Sequence, residues 1–174
     1  MTFFAARAAF VMSTLSVLAA CNSNPLIVEI TDCPAVGFVR YANSLTAFPD
    51  GAKATADNVT HRAVMSNLDV DCQDKGEGLR TRVDFTITAE PGPAGTARSL
   101  TLPYFVTVVR EGDDLQAKSI YTSSIAMTGP DNRGRTRESV EFSIPTNDLA
   151  DEYVYEVLIG FELTNTQARY NLES

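Results

Sequence analysis

Tryptophan is absent from this chain of 174 residues, and histidine occurs once, at position 61. Without Trp, the Cys…Trp…Cys signature of antibody domains is excluded. A lone imidazole needs a nucleophile and an orienting partner to work as a general base, and the neighbours Thr60 and Asp57 make no such constellation. The expectation for His61 is an exposed residue at the start of a strand. Serine elbows of the form G-x-S-x-G are missing, as are Walker-type phosphate loops and the dinucleotide G-x-G-x-x-G. Ten Gly and eight Pro are too few for a collagen-like or low-complexity chain. Basic residues are also in deficit: 14 Lys+Arg face 22 Asp+Glu, a net charge of -8. Nucleic acid is thereby a poor partner, because phosphate binding is driven by clustered Lys and Arg releasing counterions. Hydrophobic residues at 44% and charged residues at 21% are globular values, so wholesale disorder is excluded too.

Long apolar runs are scarce. The longest is Ala8 to Ala20, 13 residues preceded by Arg7. It matches the core of a signal peptide, about 7–15 residues, and is short of the roughly 20 needed to cross a bilayer. The four residues at its end, Leu18-Ala19-Ala20-Cys21, resemble the lipobox of bacterial lipoproteins, Leu-(Ala/Ser)-(Gly/Ala)-Cys, at every position. The resemblance implies a helical signal peptide over residues 1–20, cleaved between Ala20 and Cys21. A diacylglyceryl group would then sit on the Cys21 thiol and an acyl chain on its new amino group. That covalent lipid is the only non-protein group expected, with no cofactor and no metal. The competing reading is a soluble secreted protein cut by the ordinary signal peptidase. Cleavage after Ala20 would set bulky Leu18 at the −3 position, against the small-residue rule, whereas cleavage after Ala19 would set Val17 there. Asn22 follows Cys21 where inner-membrane retention in enteric bacteria uses Asp. The resemblance therefore implies the outer membrane, facing the periplasm, with the outer leaflet of the inner membrane as the alternative. Two or three acyl chains at about 0.8 kcal/mol per methylene make release slow.

Cysteine arithmetic follows the same division. Three Cys is an odd count, and if Cys21 carries lipid, Cys33 and Cys72 form an even pair expected to be a disulfide in an oxidising compartment. Neither has a second Cys or His at zinc spacing. Residues 21–25 are expected to be the lipidated Cys and a short tether, whose residues 22–25 reach roughly 13–14 Å when extended, and 26–174 a single domain.

That domain alternates in period two. Within Leu79–Glu90, Val83, Phe85, Ile87 and Ala89 share one side and Asp84, Thr86, Thr88 and Glu90 the other. Within Tyr153–Leu163 the odd residues form an apolar face with Glu156 and Glu162 opposite. That aromatic face is expected to be core, as aromatics at period two in a sandwich are. Further strands are expected at Leu26–Thr31, Ala35–Tyr41, Ala63–Cys72, Leu100–Arg110, Gln116–Met127 and Ser139–Ile144, with Leu100–Val109 apolar on both sides and so covered on both. Pro103 inside it has no explanation in the sequence. Turn chemistry such as Phe48-Pro-Asp-Gly51 and Gly129-Pro-Asp-Asn132 separates the runs. Seven or eight strands without a covering helix predict an all-β, antiparallel two-sheet sandwich, immunoglobulin- or fibronectin-like, with a small β-barrel as the alternative.

Chemistry is sparse. Asp69, Asp71, Asp74 and Glu77 make the densest acidic cluster, but Asp74 stands where an EF-hand loop needs Gly and no Glu occupies the twelfth position. A solvated strand end is expected there, and Asp113-Asp114 reads the same way. Arg133, Arg135 and Arg137 are expected on a solvated hairpin loop, three charges falling short of a headgroup-binding cluster. Asn58-Val59-Thr60 matches a glycosylation acceptor that a bacterial lipoprotein would not use. These residues predict a non-enzyme: a membrane-anchored periplasmic interaction or assembly module. Its partners would be the membrane, through the acyl anchor, and an envelope protein, with no nucleic acid and no identified small-molecule substrate. The alternative is a small periplasmic hydrolase or metal-dependent enzyme, which would require His61 to converge with Asp69 and Asp71.

Overall fold

A computed structural model describes residues 33–75, 78–110, 114–144 and 154–173. Residues 1–32 lie outside that set, and with them the signal peptide, Ala20, Cys21, the tether and the expected strand Leu26–Thr31. Eight strands are present among the described residues: β1 (Ala35–Phe38), β2 (Ser44–Ala47), β3 (His61–Asp74), β4 (Leu79–Pro91), β5 (Ser99–Arg110), β6 (Asp114–Ala126), β7 (Gly134–Ile144) and β8 (Tyr155–Phe161). A 3-10 turn (Ala56–Asn58) precedes β3, and a helix, α1 (Asn165–Glu173), follows β8.

Two four-stranded sheets form, in the orders β1-β8-β5-β6 and β2-β3-β4-β7. Neither closes on itself, so the small barrel is excluded and the two-sheet sandwich stands. All pairings are antiparallel except β1 with β8. The facing sides are apolar for the reason read in the sequence: alternation delivers Val83, Phe85, Ile87 and Ala89 inward, each no more than 1% exposed. Val157, Ile159 and Phe161 answer from β8, and Tyr155 and Leu163 pack partly buried against the same core. Aromatic rings link Phe38, Phe85, Tyr104 and Tyr121 in sequence, with centroids 5.4–6.1 Å apart.

Several details depart from expectation. β5 is interior to its sheet, but its first half alternates, with Thr101 and Pro103 exposed, so only its second half is covered on both sides. Pro103 also finds its reason. Its carbonyl accepts from the Glu162 amide, so its ring nitrogen faces the same neighbour, and the answering ladder bond cannot form. Pairing of β5 with β8 accordingly ends one residue inside, at Tyr104 opposite Phe161.

β3 is one strand with a fault in it. Ala63 and Met65 point inward, then Leu68 and Val70 do, a change of parity absorbed where the register shifts between Ser66 and Asp69. Asn67 takes φ 54° there, a left-handed conformation that Asn tolerates better than most residues. Arg135 and Arg137 are on β7, not on a loop, because β7 begins at Gly134 and extends the expected Ser139–Ile144 strand five residues toward its N-terminus.

The helix α1 opens with a capping box: the Thr164 amide donates to Gln167 Oε1 at 2.8 Å, and the Gln167 amide donates to Thr164 Oγ1 at 3.3 Å. Asn171, 9% exposed, donates from Nδ2 to the carbonyls of Tyr41 and Ser44, each at 2.8 Å. Phe48 meets Tyr170 edge-on at 5.0 Å. Cys33 and Cys72 are joined in a disulfide, Cα atoms 5.5 Å apart, tying the chain before β1 to β3.

Candidate interaction surface

His61 opens β3, half-buried, with Nδ1 3.2 Å from Thr60 Oγ1. Burial lowers its pKa below the ordinary 6.5, which favours the neutral ring. Asp69 and Asp71 lie eight and ten residues farther along the same strand, about 25 Å or more from it at strand rise. They share an exposed face, as their spacing predicts, but do not meet His61. Among the described residues, no group of three or more His, Cys, Asp or Glu side chains is placed to hold a metal. Glu77 and Asp113 lie outside those residues, as does the side chain of Asp74.

The outer side of β3, β4 and β7 is a lattice of opposed charges. Asp71 stands opposite Arg82, and Arg82 opposite Glu141. Arg80 Nε is 3.4 Å from Glu141, and Arg133 is 3.2 Å from Glu90. Asp69 faces Asp84, a like-charged pair that would repel. Ser139 and then Arg137, 3.3 Å away, hold the Asp84 carboxyl below its ordinary range and relieve that conflict. A shallow depression lined by Asp71, Gln73, Arg80, Arg82 and Glu141 sits in this lattice, next to Cys72 in sequence. With both signs interleaved and the pairs exposed, it stabilises little and selects no ion of one sign.

A different surface stands out at the sheet edges. β1 and β2 are four-residue edges. β7 is a long edge guarded by charge: Arg135, Arg137, Glu138 and Glu141 lie on it. Glu138 points inward, where it accepts from Ser123 Oγ at 2.7 Å and from Tyr104 Oη at 3.2 Å, bridging the two sheets. Burial and this carboxylate push the Tyr104 phenol well above its ordinary value, so it stays a donor. An inward-pointing charge on an edge strand is a known guard against stray strand pairing.

Among the described residues nothing pairs with the outer side of β6, whose guards are a bulge at Gln116 and one edge lysine, Lys118. Its 13 residues contain no Pro and no Gly, and Asp114 and Lys118 are its only charges. Every residue from Asp114 to Ile120 is exposed, including Leu115 at 58% and Ile120 at 61%. The direction of its backbone follows from register. Met127 donates to the Arg98 carbonyl, and Ser123 and Tyr121 face Leu102 and Tyr104. From Ala117 onward odd residues therefore bond β5, while Lys118, Ile120, Thr122 and Ser124 turn their amides and carbonyls away from the sheet. A bulge at Gln116 shifts the register before that stretch, setting Leu115 opposite Val109. Beside this edge, Lys118 lies 4.7 Å from the Phe105 ring centroid and 3.1 Å from Glu162.

Sequence reasoning placed a strand here but did not single out its edge. The available signal was the pairing of low charge with two apolar residues, Leu115 and Ile120, of opposite parity. Glu138 was equally visible, in phase with Val140 and Ile144. No protein-family model, no curated protein and no solved structure matches the chain.

Proposed function

We propose that this chain is a lipid-anchored, non-catalytic interaction module of a bacterial envelope. In this reading the β-sandwich is held at the periplasmic face of the outer membrane and meets protein partners through an open sheet edge. The observation that carries it is the agreement of motif and cysteine count. Leu18-Ala19-Ala20-Cys21 matches the lipobox, and the other two of the three cysteines pair with each other. A disulfide between Cys33 and Cys72 fits an oxidising compartment. The edge of β6, unpaired among the described residues from its bulge at Gln116 onward, supports the second half of the reading, because main-chain groups on a free strand are what partners use in strand addition.

The test is fractionation of the native host envelope with wild type and Cys21→Ser. Wild type is expected in the detergent-rich phase and in contact with envelope partners on crosslinking. The variant should move to the aqueous phase and lose those partners. Wild type that is fully soluble, with partners unchanged in the variant, would remove the anchored reading.

A further inference from the structure

We infer that the β6 edge is a self-association strand, pairing antiparallel with β6 of a second copy about a two-fold axis at Ile120. The inference rests on the reading of β6 as a docking edge and is independent of the lipid anchor. Three observations select the occupant.

The first is geometry. Ile120 lies in the stretch Ala117–Ala126, which pairs with β5 without a break, and it belongs to the set whose amide and carbonyl face outward. A two-fold axis at an outward-facing residue makes it a hydrogen-bonded pair with itself, and Lys118 and Thr122 pair in turn, inside the bulge at Gln116. The second is the side chains. The axis brings the exposed Ile120 against its own copy, covering a side chain that is 61% in water in the single chain. The third is charge. In this register Lys118 stands opposite Thr122, and the two ammonium groups are about 14 Å apart along the strands. Each is already matched by its own Glu162 at 3.1 Å. A register centred on Lys118 would oppose the two cations directly. The other long edge, β7, offers no comparable solution, because Arg135 and Arg137 line it and Glu138 is turned inward. The product is a continuous eight-stranded sheet in the order β1-β8-β5-β6-β6-β5-β8-β1.

Cysteine scanning in the full chain tests this directly. A hydrogen-bonded antiparallel pair sets Cα atoms about 5.5 Å apart, within disulfide reach of roughly 4.4–6.8 Å. Ile120→Cys is therefore expected to give a covalent dimer joined 120 to 120 on mild oxidation. Ser124→Cys, whose copies lie about 27 Å apart in this register, should give little. The unsubstituted chain should sediment at twice its mass, and Ile120→Lys should halve that mass with the circular dichroism unchanged. Peptide mapping that finds Cys33–Cys72 intact verifies the fold in each variant. Equal crosslinking at 120 and 124, or a dimer that survives Ile120→Lys, would overturn the inference. A folded monomer whose Ile120→Cys captures a different protein would overturn self-pairing while leaving β6 as a docking edge.

Discussion

Glu138 stands on one sheet and receives hydrogen bonds from two side chains of the other, Tyr104 and Ser123, each no more than 2% exposed. Hydrogen bonds to an ionised group are worth about 1.5–3 kcal/mol each when the donor is otherwise left dry. Glu138→Ala is expected to destabilise the domain by about 2 kcal/mol or more in urea unfolding, because it strands both hydroxyls. Glu138→Gln should lose less. Two other groups set the response to acid, and the signs agree. His61 has a folded pKa below the ordinary 6.5, so its contribution is full above 6.5 and fades as pH falls below it. Asp84 is held below the ordinary carboxylate range by Ser139 and Arg137, so its contribution is lost only at lower pH. Stability followed against pH should therefore drop in two stages on acidification. His61→Gln should remove the upper stage and Asp84→Asn the lower.

Asn67 decides the course of β3. Before it the odd residues are buried, and after it the even ones, Leu68 and Val70, pack partly buried, so the fault keeps both halves of the strand on the core. Asn67→Val places a β-branched residue at φ 54° and is expected to cost about 1–3 kcal/mol in thermal or urea unfolding. Asn67→Gly should be close to neutral. The inherited signal was in the sequence as the three-residue step from Met65 to Leu68. Strands with an apolar face, such as Leu79–Glu90 and Tyr155–Phe161, were legible because alternation alone specifies which side is dry. β2 was not, since Ser44–Ala47 is too short to show a period. The first half of β7 was not, because Gly134, Thr136 and Glu138 fill its inner side and leave no apolar signature against Arg135 and Arg137. The helix α1 carried its start signal in Thr164 and Gln167, but its side chains are polar, and its docking depends on Asn171 reaching two carbonyls from residues far away in the chain. Of the candidate surface, the strand was visible and its edge was not, because which strands end a sheet is a property of topology.

Two covalent features frame the molecule, one within the domain and one expected outside it. The disulfide from Cys33 to Cys72 spans a sequence separation of 39. Closing a loop of that length restricts the unfolded chain by about 4 kcal/mol. Replacing both residues by Ser is expected to lower the unfolding free energy by that amount, measured in urea against the oxidised parent. The second feature is the lipid proposed on Cys21, which would turn an acidic β-sandwich into a membrane-bound one and fix where its edges can act. Intact-mass and peptide mass spectrometry of the processed protein, taken from its own host, tests it most directly. Lipidation predicts a chain beginning at Cys21 whose first peptide carries a thioether-linked diacylglyceryl group and an N-acyl chain. A first peptide with a bare thiol at Cys21, or with Cys21 bonded to Cys33 or Cys72, would contradict it.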